Sequence, residues 1–256
     1  MSQFHLHHKW INPEQSGPVI VFLHEGLGSI EQWKDFPQEL CNKLNLPGFL
    51  YDRQGHGKSD ALTAERDETY LEKYALEELP RVVNQHLKNR DLILFGHSDG
   101  GTIALIYASK FPDRIKAIVT EAAHIYVEPI TWIGIKPVIE EFETKGKLYH
   151  ALKKYHGNKT EQTFYAWANT WKKKDEKKWN VSHYLNHVTA PLLAIQGMQD
   201  QYATEQHLFD ITNLVSGSSK DIFLDNCRHS PHLEQRDEVV KIVVEYVNFI
   251  VSNTPV

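Results

Sequence analysis

Ser98 lies in Gly96-His97-Ser98-Asp99-Gly100-Gly101, between the apolar run Leu92-Ile93-Leu94-Phe95 and the apolar stretch Ile103-Ala104-Leu105-Ile106. A strand, a very tight turn and a helix in that order carry the serine at the tip of the turn. Its hydroxyl then stands clear of the backbone, and the N–H groups of the helix start face the same space. Glycine at 96 and 100 suits such a crossing, which leaves no room for a Cβ. The chemistry implied is nucleophilic attack. A serine hydroxyl is a weak nucleophile at neutral pH, so it needs a base within hydrogen-bond reach and a third group that fixes the base. The chain downstream supplies both in order. Residues 192–196 run as a strand into Gly197-Met198-Gln199-Asp200, and Ile222-Phe223-Leu224 runs into Asp225-Asn226-Cys227-Arg228-His229-Ser230-Pro231-His232. His229 and His232 are the candidate bases. Asp200 and Asp225 are the candidate acids, and Asp225 would have to reach backwards along the strand that leads to the histidine loop.

Negative charge developing on a carbonyl oxygen needs two N–H donors, each worth on the order of 3 kcal/mol in the transition state. The Asp99 amide, directly after the serine, is the first. The glycine-rich loop His24-Glu25-Gly26-Leu27-Gly28-Ser29 supplies the second. Gly26 is the expected donor, with Leu27 as the neighbouring alternative and a candidate for touching substrate. A carboxylate aimed at the developing oxyanion would oppose catalysis, so Glu25 is expected to turn away, toward Arg53. The Asp99 side chain also suits the first turn of a helix, where negative charge is favourable.

Elements able to position these groups recur along the chain. Strand signals fall at 18–23, 48–51, 91–95, 115–120, 192–196 and 221–224, and helical periodicity at 30–44, 69–88, 100–110, 204–214 and 234–251. Strand and helix alternate, which predicts an α/β fold, mostly parallel and doubly wound, with right-handed crossovers. The carboxyl ends of parallel strands share one edge, so Ser98, Asp200 and His229 converge there. The alternation breaks over 122–189, a long helical and aromatic stretch that reads as an inserted cap within a core of 1–121 and 190–256. In that stretch Trp167 and Trp171 share a helix face and are expected to pack against the body. The run Lys172-Lys173-Lys174-Asp175-Glu176-Lys177-Lys178 reads as a solvated helix face. His183 and His187 have helical spacing but no further ligand nearby. His5, His7 and His8 fall in an alternating edge-strand pattern, so no metal site is expected.

With these motifs in place the chain resembles the α/β-hydrolase family, in the order nucleophile, acid, histidine, from about residue 18 to the C-terminus. In particular it resembles the biphenyl-hydrolase-like serine hydrolases. The resemblance is carried by the Gly-x-Gly-Ser loop, Asp52-Arg53-Gln54-Gly55-His56-Gly57-Lys58-Ser59, the elbow at 98–101 and His229-Ser230-Pro231-His232. It implies the α/β-hydrolase fold with an inserted helical cap. It makes His229 the base, because this residue precedes the Pro231 to Glu234 segment that opens the last helix. It also implies hydrolysis of small carboxylic esters through an acyl-enzyme, without cofactor or metal. In the biphenyl-hydrolase-like group an acidic residue at the position of Asp99 is compatible with recognising the amino group of α-amino-acid esters. His97 is a frequent elbow residue, expected to pack or bond locally. Ser98 argues against haloalkane dehalogenases and epoxide hydrolases, which attack sp³ carbon through an aspartate. Carbon–carbon hydrolases, thioesterases and lactonases keep the same triad, and a non-catalytic ligand receptor is a further class. The cap carries little of the resemblance, so the substrate stays open.

The bulk properties agree with this reading. The 256 residues are 41% hydrophobic and 24% charged, with a formal net charge of -5, which disfavours nucleic acid and acidic membrane surfaces as partners. Two cysteines, Cys41 and Cys227, make no disulfide framework and suggest inert thiols in a reducing compartment. Residues 1–10 contain no apolar core of signal-peptide length, and no run approaches a membrane span. A cytoplasmic monomer or homodimer acting on a small-molecule ester is expected.

Overall fold

Seven strands form one sheet in the computed structural model, which describes residues 4–253. They are β1 (His8–Ile11), β2 (Val19–Leu23), β3 (Gly48–Tyr51), β4 (Leu92–His97), β5 (Ile115–Glu121), β6 (Leu192–Gly197) and β7 (Ser219–Leu224), in the spatial order β1-β3-β2-β4-β5-β6-β7. Every neighbouring pair is parallel except β1 with β3. The histidine-rich N-terminal stretch thus supplies the antiparallel edge, and His8 stacks on Phe49 and lies tilted against His86.

The central strands are largely apolar because both faces are covered, and β2 is apolar throughout. In β2, Val19, Val21 and Leu23 enter one core cluster while Ile20 and Phe22 enter the other, as a period of two requires. Each such side chain contributes about 1.5–3 kcal/mol by leaving water. The helices are α1 (Phe36–Leu44), α2 (Tyr70–Lys73), α3 (Leu79–His86), α4 (Asp99–Lys110), α5 (Pro129–Glu143), α6 (Lys147–His156), α7 (Thr160–Glu176), α8 (Glu205–Leu214), α9 (Pro231–Glu234) and α10 (Arg236–Asn253). The predicted helix 30–44 divides at residues 34–35, where Lys34 takes a positive φ of 57°. The predicted helix 69–88 becomes α2, a π-helical turn Tyr74–Glu78 and α3.

Between β5 and β6 lie α5, α6, α7 and a 3₁₀ segment, Ser182–His187. Helices α5 to α7 pack on one another, and α6 and α7 are tied to the loop after β3. The Gly57 N–H donates to His156 Nδ1 (2.9 Å), and Thr163 Oγ1 donates to the Gly55 carbonyl (2.6 Å). In the 3₁₀ segment, with three residues per turn, a spacing of four does not align side chains, so His183 and His187 do not share a face.

The lysine run is solvated only in part. Lys174 is fully buried, with Nζ 3.0 Å from the centre of the Trp179 ring and near the Tyr70 and Trp171 rings. Its position on α7 faces α2 rather than water, which a charge run cannot reveal. Burial holds its ammonium well below the usual lysine range, against the charges of Glu72 and Asp99.

Candidate active site

The register of the sheet sets the site. Leu23 at the end of β2 pairs with Gly96 in β4, so the glycine-rich loop and the serine turn leave the sheet side by side. At the turn, a Cβ on Gly100 would stand 1.9 Å from the Leu23 carbonyl oxygen, and one on Gly96 would stand 2.3 Å from the Gly100 carbonyl oxygen. Only glycine lets β4, α4 and the β2 loop approach this closely. Ser98 itself sits at φ 53°, ψ -117°, and its N–H donates to the Glu121 carbonyl at 2.8 Å. This strained backbone lifts the hydroxyl out of the turn.

The acid and histidine loops are sewn together where β6 and β7 end. Gln199 N–H donates to the Cys227 carbonyl (2.8 Å) and Met198 N–H to that of Leu224 (3.0 Å). His229 then bridges the two ends of the constellation. Ser98 Oγ lies 3.0 Å from His229 Nε2, and His229 Nδ1 lies 3.0 and 2.9 Å from the two Asp200 oxygens. Tyr202 N–H donates to Asp200 Oδ1 (2.9 Å), which fixes the carboxylate. Burial alone would lower the affinity of His229 for a proton. The Asp200 charge and hydrogen bond, with Glu25 and Asp99 nearby, outweigh it and raise its pKa above the ordinary histidine value. For Asp200, burial opposes ionisation, but His229 holds the carboxyl below its usual range.

The other candidates make different contacts, although His232 also lines the cavity over Ser98. His232 Nδ1 meets Glu121 Oε2 at 2.6 Å in a buried pair beside Trp33. Asp225 is exposed, and its carbonyl accepts from the Gln235 side chain. His97 reaches further than local bonding: its Nε2–H donates to the His229 carbonyl (2.7 Å), so it positions the histidine loop. This contact spans 132 residues, and no local pattern announces it.

In the glycine-rich loop, the Leu27 N–H is taken by the Glu25 carboxylate (2.6 Å). The Gly26 N–H has no acceptor among the described residues. The pairing of Glu25 with Arg53 does not form through the carboxylate. The guanidinium instead donates to two backbone carbonyls, those of His24 and Glu25, the latter at 2.8 Å. His56 Nε2 meets the Gly26 carbonyl (3.1 Å) and His156 Nε2 that of Leu27 (2.8 Å), so Arg53, His56 and His156 hold this loop through its backbone.

A cavity of about 440 Å³ opens over Ser98 and His229. Its apolar wall comes from Leu27, Ile135, Val138, Leu148, Leu152 and Trp167. Trp167 and Trp171 both line it as well as being buried, so the pair does more than pack. Asp99 also faces it, with a carboxylate that accepts the Tyr70 hydroxyl. Among the described residues no group of three or more His, Cys, Asp or Glu side chains is arranged to hold a metal ion. No helix there is long and apolar enough to cross a membrane. Burial pushes the Cys41 and Cys227 thiols up to about 12.

Four histidines around this site, His24, His56, His97 and His124, are buried, and burial holds each well below the usual histidine range. On unfolding they regain an ordinary pKa and bind protons as pH falls below about 6.5. The unfolded state then binds more protons than the folded one, so stability is full above that pH and declines below it, by about 1.4 kcal/mol per pH unit for each histidine. Urea unfolding at pH 7.5 and 5.5 is expected to show a clearly lower midpoint at the acid pH. An unchanged midpoint would mean that these rings are charged in the fold.

Residues 18–134 match a family model described as the alpha/beta hydrolase fold. The chain is 28% identical over 236 residues to serine hydrolase BPHL of Homo sapiens, covering 90% of this chain and 79% of that one. It is 23% identical to a proline iminopeptidase of Saccharolobus solfataricus, over 96% and 90% of the two chains. Among solved structures, the enol-lactonase from Burkholderia xenovorans LB400 superposes with a TM-score of 0.74 at 18% identity, covering 96% of this chain and 97% of that one.

Proposed function

Since the chain is a hydrolase of the α/β-hydrolase fold, we propose that it cleaves carboxylic esters of small molecules through an acyl-enzyme built on Ser98, His229 and Asp200. The observation that carries this reading is the unbroken chain of contacts from Ser98 Oγ to His229 Nε2 (3.0 Å) and from His229 Nδ1 to Asp200 (2.9 Å). Ser98 Oγ attacks the ester carbonyl while His229 Nε2 takes its proton. Asp200 holds the ring in the tautomer with hydrogen on Nδ1 and stabilises the imidazolium. The Asp99 and Gly26 N–H groups receive the oxyanion. As first residue of α4, Asp99 has an N–H without an i−4 helical acceptor, and the Leu27 N–H is already committed to Glu25. His229 then protonates the departing alcohol, and water repeats the sequence on the acyl-enzyme.

Residues 122–189 act as the cap in this proposal, because Trp167, Trp171 and the α5–α6 side chains close the cavity above the serine. The apolar wall suits a small or medium acyl or alcohol group. Asp99 would give an α-amino-acid ester a buried carboxylate for its ammonium, in addition to the Tyr70 hydroxyl. Hydrolysis of p-nitrophenyl acetate, butanoate and octanoate, beside alanine and valine esters, tests the proposal. Turnover with a pre-steady-state burst is expected for at least one class. An amino-ester preference that disappears in Asp99→Ala would give that carboxylate the recognition role. Absence of turnover across the panel, with carbon–carbon substrates cleaved instead, would replace the ester reading.

A further inference from the structure

The rim of the cavity carries charge that the acyl-enzyme sequence does not use. Lys34, just past the 3₁₀ turn Ile30–Trp33, and Tyr155 on α6 both line the cavity, and Lys34 is exposed to solvent. Lys34 Nζ donates to Tyr155 Oη at 2.5 Å and lies 4.9 Å from the centre of its ring, and Lys154 Nζ lies 5.6 Å from the same centre. Two ammonium groups thus flank one phenol. Among the described residues neither forms an ion pair, because the acids that could neutralise them are absent or engaged. Residues 144–160 contain no Asp or Glu. Beside Lys34, Glu31 meets Lys58 (3.1 Å) and Asp35 meets Arg236 (2.9 Å). Glu141 on α5 also lines the cavity and pairs with neither lysine. The backbone supplies an independent observation. Lys34 takes φ 57° and ψ -134°, a conformation that glycine adopts freely and a lysine only under strain. The fold holds a strained cation at the rim of the cavity.

We propose that Lys34 and Tyr155 form a subsite for a carboxylate carried by the substrate at the end remote from the ester being cleaved. This rests on the ester-hydrolase reading above. The donor count gives the ligand its chemistry. An ammonium has three donors and no acceptor, and Lys34 spends one donor on Tyr155. The phenol oxygen that receives it keeps its own O–H free to donate. The rim therefore offers donors from two separate segments, which suits the two oxygens of a carboxylate and leaves a substrate ammonium without a partner. Charge also fixes which end of the substrate is anionic. Asp99 follows Ser98, and Glu25 lies in the glycine-rich loop, so the serine end of the cavity is already acidic and repels an anion. The substrate class assigned is an ester with a distant carboxylate, on either its acyl or its alcohol part.

Two matched ester pairs test this and separate the two positions of the carboxylate. On the acyl side, mono-p-nitrophenyl suberate is compared with methyl p-nitrophenyl suberate. On the alcohol side, 4-(butanoyloxy)benzoate is compared with its methyl ester. The wild-type protein is expected to favour the carboxylate member of one pair by at least about tenfold in kcat/KM, and about 0.5 M NaCl should reduce that ratio, because the cation is exposed. In Lys34→Met the ratio is expected to fall to within about threefold, with the rate on the methyl-capped member changed less than about twofold. Lys34→Arg should keep part of the preference, and Tyr155→Phe should lose part of it. Fluorophosphonate labelling of Ser98 in each variant reports that the site has assembled. Lys34→Gly provides the reading if the Met variant does not fold, since glycine accepts the positive φ without strain. Ester hydrolysis without a carboxylate preference, or with a preference that the Met and Gly variants keep, overturns the subsite alone. Failure of the wild-type protein to hydrolyse any of the four esters overturns the ester reading and the subsite with it.

Discussion

Ser98→Ala is expected to lower kcat on the best ester of the panel by about 10⁶-fold, leaving only what binding and the oxyanion donors contribute. The size follows from geometry. Ser98 Oγ is the atom in contact with His229 Nε2, at 3.0 Å, and without it the base has no proton to take and the carbonyl no nucleophile. Alanine keeps the Cβ, so the strained backbone at φ 53° and the close crossing at Gly96 and Gly100 are unaltered. The variant should therefore fold, with a melting temperature within a few degrees of the wild type. Steady-state rates and fluorophosphonate labelling, both lost together, are the readout. Retention of more than about one hundredth of the wild-type rate would place the nucleophile elsewhere.

Asp200→Asn should cost about 10⁴-fold in kcat. Asp200 accepts the Nδ1 hydrogen of His229 with both oxygens and is itself held by the Tyr202 N–H. An amide of the same shape can turn its NH₂ group to Nδ1, which selects the tautomer with hydrogen on Nε2 and disarms the base. The pH profile supplies a second readout. Activity needs neutral His229, so kcat/KM rises as pH increases through the pKa of this ring. In the wild type burial lowers that pKa, and Asp200 with the other nearby carboxylates overcomes it, so the acid limb lies above the ordinary histidine value. Removing the Asp200 charge weakens the imidazolium, and the acid limb of the residual activity is expected to move to lower pH. Asp225→Asn, at an exposed position on the other loop, should change neither rate nor profile by more than about twofold. A larger loss there than in Asp200→Asn would reverse the assignment of the acid.

The amino-acid sequence by itself determined the elements and their order. Continuous apolar runs such as Val19–Leu23 and Leu92-Ile93-Leu94-Phe95 announce strands buried on both faces, because a sheet covered on both sides buries nearly every side chain of its central strands. Gly96 and Gly100 around Ser98 announce the sharp turn, because a Cβ at either place would collide with backbone. The placement of Asp200 and His229 after successive strands was legible for the same reason, since parallel strands deliver their ends to one edge.

What only the tertiary structure decided are the contacts made across that edge and beneath helices α5 to α7. Arg53 binds the carbonyls of the glycine-rich loop rather than the Glu25 carboxylate, and Glu25 takes the Leu27 N–H instead. Lys174, within a run that reads as solvated, lies under Trp179, because α7 turns that one position toward α2. His97 reaches the carbonyl of His229 and His124 stands in the cavity wall, both through contacts between segments far apart in the chain. Local spacing sets which way a strand or a helix turns its side chains. Which polar groups meet is set by where distant segments pack, and that depends on the register of the sheet and the docking of helices, which no short pattern encodes.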